Sequence, residues 1–123
     1  MHNYNAKNFR LNIHINSDIL TATMQGSGTS RELEDGRYFI LNNVQENSLK
    51  GVVLDLSGMN LIDSTEFREI QDTIKMIEIL GVKVVLIGLN QGVISHLVNM
   101  NIELDGMRTT CSMSSAIEIL NRI

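Results

Sequence analysis

Apolar residues at every second position, Phe9, Leu11, Ile13 and Ile15, have the period of a half-exposed strand. A polar turn at Asn16, Ser17 and Asp18 leads into a second strand, Ile19 to Met24, and strands joined this tightly pair antiparallel. Residues 1–8 are polar and rich in Asn; they are expected to be flexible, leaving 9–123 as one domain. Gln25 to Ser30 reads as a loop. Leu33, Ile40, Leu41 and Val44 then mark one face of a helix over 31–47, with Gly36 weakening its start.

The pattern changes at Val52 to Leu56, a continuous apolar run of the kind a strand shows when both its faces are covered. Ser57 and Gly58 form a short loop, after which Asp63 can cap the free N–H groups of a helix. Glu66, three positions on, completes a capping box, so Ser64 falls at the first helical position. Phe67, Ile70, Ile74, Ile77 and Leu80 recur at helical spacing up to Gly81, a C-terminal cap, and Val82 to Leu89 is the next buried strand. Asn90 caps a further helix with Val93, Ile94, Leu97, Val98 and Ile102 facing inward. A turn over Glu103 to Gly106 and a short strand, Met107 to Cys111, follow. Ser112 caps a last helix with Met113, Ala116, Ile117, Leu120 and Ile123 inside. The order β-β-α-β-α-β-α-β-α implies an α/β fold. Its mixed sheet is mostly parallel with an N-terminal antiparallel strand pair, and about four helices pack on it.

Composition sharpens this picture. A chain of 123 residues suits one domain, and 43% hydrophobic residues can fill a core that, with two Tyr, three Phe and no Trp, is aliphatic. A net charge of −4 and ten scattered Lys and Arg argue against nucleic acid as a partner. The first residues lack the apolar segment of a signal peptide and no stretch is long enough to span a bilayer, so no membrane partner is expected. The single cysteine, Cys111, cannot form an internal disulfide; the expected compartment is the cytoplasm.

Catalytic patterns are absent from the sequence. His2, His14, His96 and Cys111 are too scattered for zinc, and no serine sits in a Gly-x-Ser-x-Gly elbow. Gly26 to Thr29 lacks the Lys-Ser or Lys-Thr ending of a P-loop and the third glycine of a dinucleotide fingerprint, so loop is the better reading than nucleotide cradle. Asp55 and Asp63 flank a loop, but no third acidic residue joins them to hold Mg²⁺. Cys111 has only Arg108 as a basic neighbour and reads as a strand-end residue. Neither metal nor cofactor is expected, and the chain reads as a partner-binding or substrate protein, not an enzyme. One place suits modification: a hydroxyl at Ser64 sits among unpaired N–H donors at the positive end of a helix dipole, where a phosphate is favoured. Helix initiation accounts for Ser64 and Thr65 equally well, and from spacing alone it is the commoner explanation.

The run from Gly51 to Thr65, the strand Gly81 to Gly88 and the segment Ile102 to Thr110 together resemble the STAS domain family, the fold of the anti-sigma factor antagonists. The resemblance covers residues 9–122. Within the family it points to the RsbS type, the short scaffold of the stressosome, because Ile62, Asp63 and Ser64 run directly into Thr65, Glu66 and Phe67. It implies that Ser64 is the phosphoacceptor, with Thr65 the lesser alternative, and that Asp63, Ser64, Thr65 and Glu66 meet a partner. The implied partners are an RsbT-type serine/threonine kinase, an RsbR-type STAS paralogue and a resetting phosphatase. Together they imply a large hetero-oligomer with a dimer as its building block. Phosphorylation of Ser64 would release the sequestered kinase in a stress response. The alternative is a stand-alone SpoIIAA-like antagonist that binds an anti-sigma kinase. Residues 25–39, with Gly26 to Thr29 and Gly36, depart most from the family pattern, so the first loop is expected to serve a local purpose. Ser95 and His96 lie near a second phosphoacceptor position of RsbR-type proteins, and neither is given a role.

Overall fold

The computed structural model describes residues 2–99 and 106–123. Strands β1 (His2–Asn5), β2 (Phe9–Asn16) and β3 (Ile19–Gly26) form an antiparallel meander. Helix α1 (Ser30–Glu46), strand β4 (Gly51–Gly58), helix α2 (Ser64–Ile79), strand β5 (Lys83–Ile87), helix α3 (Gln91–Asn99), strand β6 (Arg108–Thr109) and helix α4 (Met113–Arg122) follow. The six strands lie side by side in chain order, and every pairing from β3 to β6 is parallel.

Two strands differ most from the sequence reading, while β5 and β6 are shorter than the expected 82–89 and 107–111. The N-terminal residues expected to be flexible supply an edge strand: Tyr4 pairs with Leu11, and the turn closes through Ala6 N–H donating to the Phe9 carbonyl at 2.8 Å. Tyr4 stacks its ring obliquely on Phe9 and Phe39, with centroids 6.4 and 6.5 Å away, which holds β1 in place. Tyr4 is the one apolar residue within His2–Asn5, which leaves no alternation to read. Strand β4 also runs on through Ser57 and Gly58, the expected loop, because a register shift between Thr23 and Gln25 lets β3 pair again at Gly58. The connection to α2 is therefore 59–63, anchored by buried Met59 and Ile62.

Helices α1, α2 and α3 cover one face of the sheet, and α4 covers β4 and β5 on the other. This explains the continuous apolar run in β4: Val52, Leu54 and Leu56 enter the main core while Val53 meets Ala116 and Leu120 of α4. Each helix buries a narrower stripe than its apolar residues allow. Ile94 and Val98 of α3, Ile117 of α4 and the terminal Ile123 are exposed rather than inward-facing, as is Leu80. Helices α3 and α4 are short and lie on the sheet from one side only; Val93 with Leu97 makes the α3 contact, and Ala116 with Leu120, joined by partly buried Met113 and Ile119, makes that of α4. Ile102 and most of the turn expected over 103–106 lie outside the described residues. The caps expected at Asn90 and Ser112 form: Asn90 Oδ1 accepts from Val93 N–H at 2.8 Å and Ser112 Oγ from Ser115 N–H at 3.2 Å. Gly81, with φ of 88°, lets its own N–H return to the Glu78 carbonyl and that of Val82 to Ile77, the left-handed ending that closes α2.

Candidate functional site

Helix α2 begins where the sequence places it. Asp63 has extended backbone geometry, and its Oδ1 accepts the N–H of Glu66 at 2.7 Å, while Glu66 Oε1 accepts the N–H of Asp63 at 3.1 Å. This reciprocal pair fixes Ser64 as the first helical residue. Ser64 is half-buried, and Asp63 and Thr65 beside it are exposed. By helix geometry the N–H groups of Ser64 and Thr65 have no intrahelical acceptor, so they add to the positive end of the α2 dipole.

Glu66 differs from the other three residues expected to face a partner. Its side chain is only 3% exposed, and it points away from solvent into the protein. The second carboxylate oxygen, Oε2, accepts the hydroxyl of Ser27 at 3.1 Å and the N–H of Gly28 at 3.0 Å. A single buried carboxylate therefore accepts three hydrogen bonds, one from the start of α2 and two from the loop between β3 and α1. All its acceptor capacity lies inside the protein, which satisfies the burial of its charge. Asp63, Ser64 and Thr65 are the residues that a partner can reach.

Ser27 and Gly28 are site residues that the sequence reading leaves as loop. Their link to Glu66 spans 39 and 38 positions, beyond any local pattern. The available signal was the departure of residues 25–39 from the expected family pattern. The loop ends in its own capping box, Thr29 with Glu32, so it passes directly into α1. Between this loop and the start of α2 lies an open depression of about 390 Å³, bordered by Ser27, Gly58, Asn60, Leu61, Asp63 and Glu66. Its lining has one exposed carboxylate, that of Asp63, beside the buried and already bonded one of Glu66, and, among the described residues, no Lys or Arg. Leu61, 69% exposed, stands at its edge between buried Met59 and Ile62.

The remaining candidates stay separate. Asp55 turns its Oδ1 to the N–H and hydroxyl of Ser57, at 2.9 and 2.7 Å, a local turn bond. Among the described residues no group of three or more His, Cys, Asp or Glu comes together. Cys111 is exposed just beyond β6, and Ser95 is exposed on α3. No helix among the described residues is long and apolar enough to cross a membrane.

Six strands in a mixed sheet, helices on both faces and a hydroxyl offered at a helix start define a small α/β domain whose site is a rim, not an enclosed pocket. The model of the STAS domain family matches residues 10–112, and the chain belongs to that family. Among solved structures, a serine-to-glutamate variant of RsbS from Moorella thermoacetica is 22% identical, with a TM-score of 0.78 over 91% of this chain and 95% of that one. A chain from the molecular architecture of the stressosome, a signal integration and transduction hub, is 24% identical, with a TM-score of 0.78 over 90% of this chain and 96% of its own. The anti-sigma factor antagonist SpoIIAA in its unphosphorylated form is 10% identical, with a TM-score of 0.66 over 92% of this chain and 99% of its own. At these identities the likeness is one of fold. No curated protein matches the chain significantly in sequence.

Proposed function

We propose that this STAS domain is a non-enzymatic scaffold of the stressosome type, switched by phosphorylation of Ser64. In this reading it sequesters an RsbT-type serine/threonine kinase, assembles with an RsbR-type paralogue, and is reset by a phosphatase. The observation that carries the reading is the placement of Ser64: a half-buried hydroxyl at the first position of a capped helix, flanked by exposed Asp63 and Thr65. The likeness in fold to RsbS and to a stressosome chain supports the scaffold reading.

The chemistry suits a surface switch. A phosphoserine adds about −1.5 to −2 charges at neutral pH. At Ser64 the α2 dipole offsets part of this, worth about 0.3–1 kcal/mol, while Asp63 and Glu66 oppose it. The core lies behind Glu66 and does not feel the change, so the new charge acts on whatever docks at the rim.

The test is intact-mass and phosphopeptide analysis of the wild type and Ser64→Ala after incubation with host extract and ATP. One phosphate on the wild type, absent from the variant, is expected. A phosphate elsewhere, or none, overturns the switch. Size measurement with the paralogue separates the scaffold from the stand-alone antagonist: a large particle is expected here, and a monomer or dimer binding a kinase one to one would favour the antagonist.

A further inference from the structure

We infer that the groove between the C-terminal halves of α1 and α2 is a docking site for a basic amphipathic helix of a partner protein, separate from the rim at Ser64. Ser64 opens α2 and the groove lies at the other end of that helix, about 20 Å away along its axis. The two sites share no residue.

Nine large hydrophobic side chains are exposed among the described residues, and four of them, Tyr38, Met76, Ile79 and Leu80, gather here. Ile79 is 82% exposed. They border an open groove of about 330 Å³ whose lining holds no charged residue. An apolar cluster with a polar rim marks a contact surface, unlike hydrophobic residues exposed singly. Because β3, β4 and β5 are parallel, α1 and α2 run in the same direction side by side. The furrow between two such helices accepts the ridge of a third, and Met76 adapts its shape to what enters.

Charge selects the occupant. Glu34 stands one helical turn before Tyr38, Asp72 one turn before Met76, and Glu46 one turn beyond Asn42; all three acids are exposed. Lys75 is the one exposed base on these turns, while Asp35 and Glu78 are engaged by Tyr4 and Arg108. Neither helix has a basic residue in its last turn, so the negative ends of both dipoles add to the same rim. An anionic bilayer would meet like charge here, and so would the same face of a second copy. A helix with an apolar stripe flanked by Lys or Arg fits both the furrow and its rim.

The experiment uses the full chain and two synthetic helical peptides of about four turns, identical in their Leu face and carrying either Lys or Glu on the polar face. Binding is followed through amide chemical shifts by heteronuclear NMR at low ionic strength, for the wild type, Ile79→Ser and Asp72→Lys. Both substituted positions are exposed, so the fold is kept.

The Lys peptide is expected to shift amides at 38–45 and 76–80 of the wild type and to bind about tenfold or more tighter than the Glu peptide. Ile79→Ser should weaken it about fivefold or more, and Asp72→Lys should narrow the preference for Lys over Glu to about threefold or less. Equal binding of the two peptides, no binding, or binding that Ile79→Ser leaves unchanged overturns the inference. A wild-type dimer in sedimentation that Ile79→Ser dissolves would give the groove to a second copy and overturn it too. So would flotation of the wild type with phosphatidylserine vesicles that Ile79→Ser abolishes, which would give the groove to a membrane. None of these readouts passes through Ser64, so their failure leaves the phosphorylation switch standing.

Discussion

Arg37 Nε donates to Thr73 Oγ1 at 3.0 Å, and both residues are buried. The same guanidinium uses Nη2 on the Glu69 side chain and on the Glu69 carbonyl, so one arginine of α1 holds a full turn of α2. Thr73 passes the chain on by donating its hydroxyl to that carbonyl at 2.9 Å. The contact between the helices is polar at this point, between the apolar stripes that meet the sheet.

Removing the guanidinium leaves Glu69, with a side chain 20% exposed, short of its cation. Arg37→Met is therefore expected to lower unfolding free energy by about 2–3 kcal/mol, in the range for a hydrogen bond to a charged group and a broken, largely buried pair. Thr73→Val should cost about 1 kcal/mol. Urea unfolding followed by circular dichroism measures both, and additive costs in the double variant would show that the two side chains do not act together.

Gly36 lies beside Arg37 in the middle of α1, against the sheet. A methyl group there would meet Leu11 and Phe9 at 3.4 Å, ordinary contact distance. Helical backbone carries no need for glycine at this position, so Gly36→Ala should stabilise the protein by about 0.5–1 kcal/mol. A lower urea midpoint for the variant would show that the Phe9 ring cannot yield.

Tyr4 has a raised pKa, first through burial and then through Asp35, whose Oδ2 accepts the phenol proton at 3.4 Å. The folded state holds this proton more firmly than the unfolded chain does. Its contribution is therefore complete below the unfolded value near 10 and is lost as pH rises through the folded pKa. In a Tyr38→Phe background Tyr4 is the only tyrosine, and its absorbance titration should have a midpoint above 10 that moves down in Asp35→Asn. A midpoint unmoved by Asp35→Asn would remove the aspartate from the account.

Ser64→Asp places one negative charge at the first position of α2, where the helix dipole accepts it. Stability is expected to change by no more than about 0.5 kcal/mol, as for a surface substitution. Kinase binding is expected to fall by about tenfold or more if like charge repels the docking surface. Equal binding by wild type and variant, measured by titration calorimetry, would refute the electrostatic basis of the switch.

Periodicity alone placed most elements. Alternation marks β2 and β3, helical spacing marks α2, and the continuous run in β4 announces a strand covered on both faces. These signals are local because side-chain direction repeats with the backbone period. Asp63 and Glu66 are three residues apart, so the capping box and the position of Ser64 were legible for the same reason. Family membership came from longer runs that include this motif.

Tertiary structure decided what local pattern cannot encode. Strand β1 exists because Tyr4 finds Phe9 and Phe39, and nothing within residues 1–8 reports those rings. Ile94, Val98 and Ile117 match a helical stripe yet remain exposed, because helix packing sets how much of each stripe is covered. Glu66 looks like a cap from its spacing and is one, but its second oxygen serves Ser27 and Gly28 across the fold. A carboxylate has more acceptor sites than a helix start can fill, and only the folded chain determines what occupies the rest.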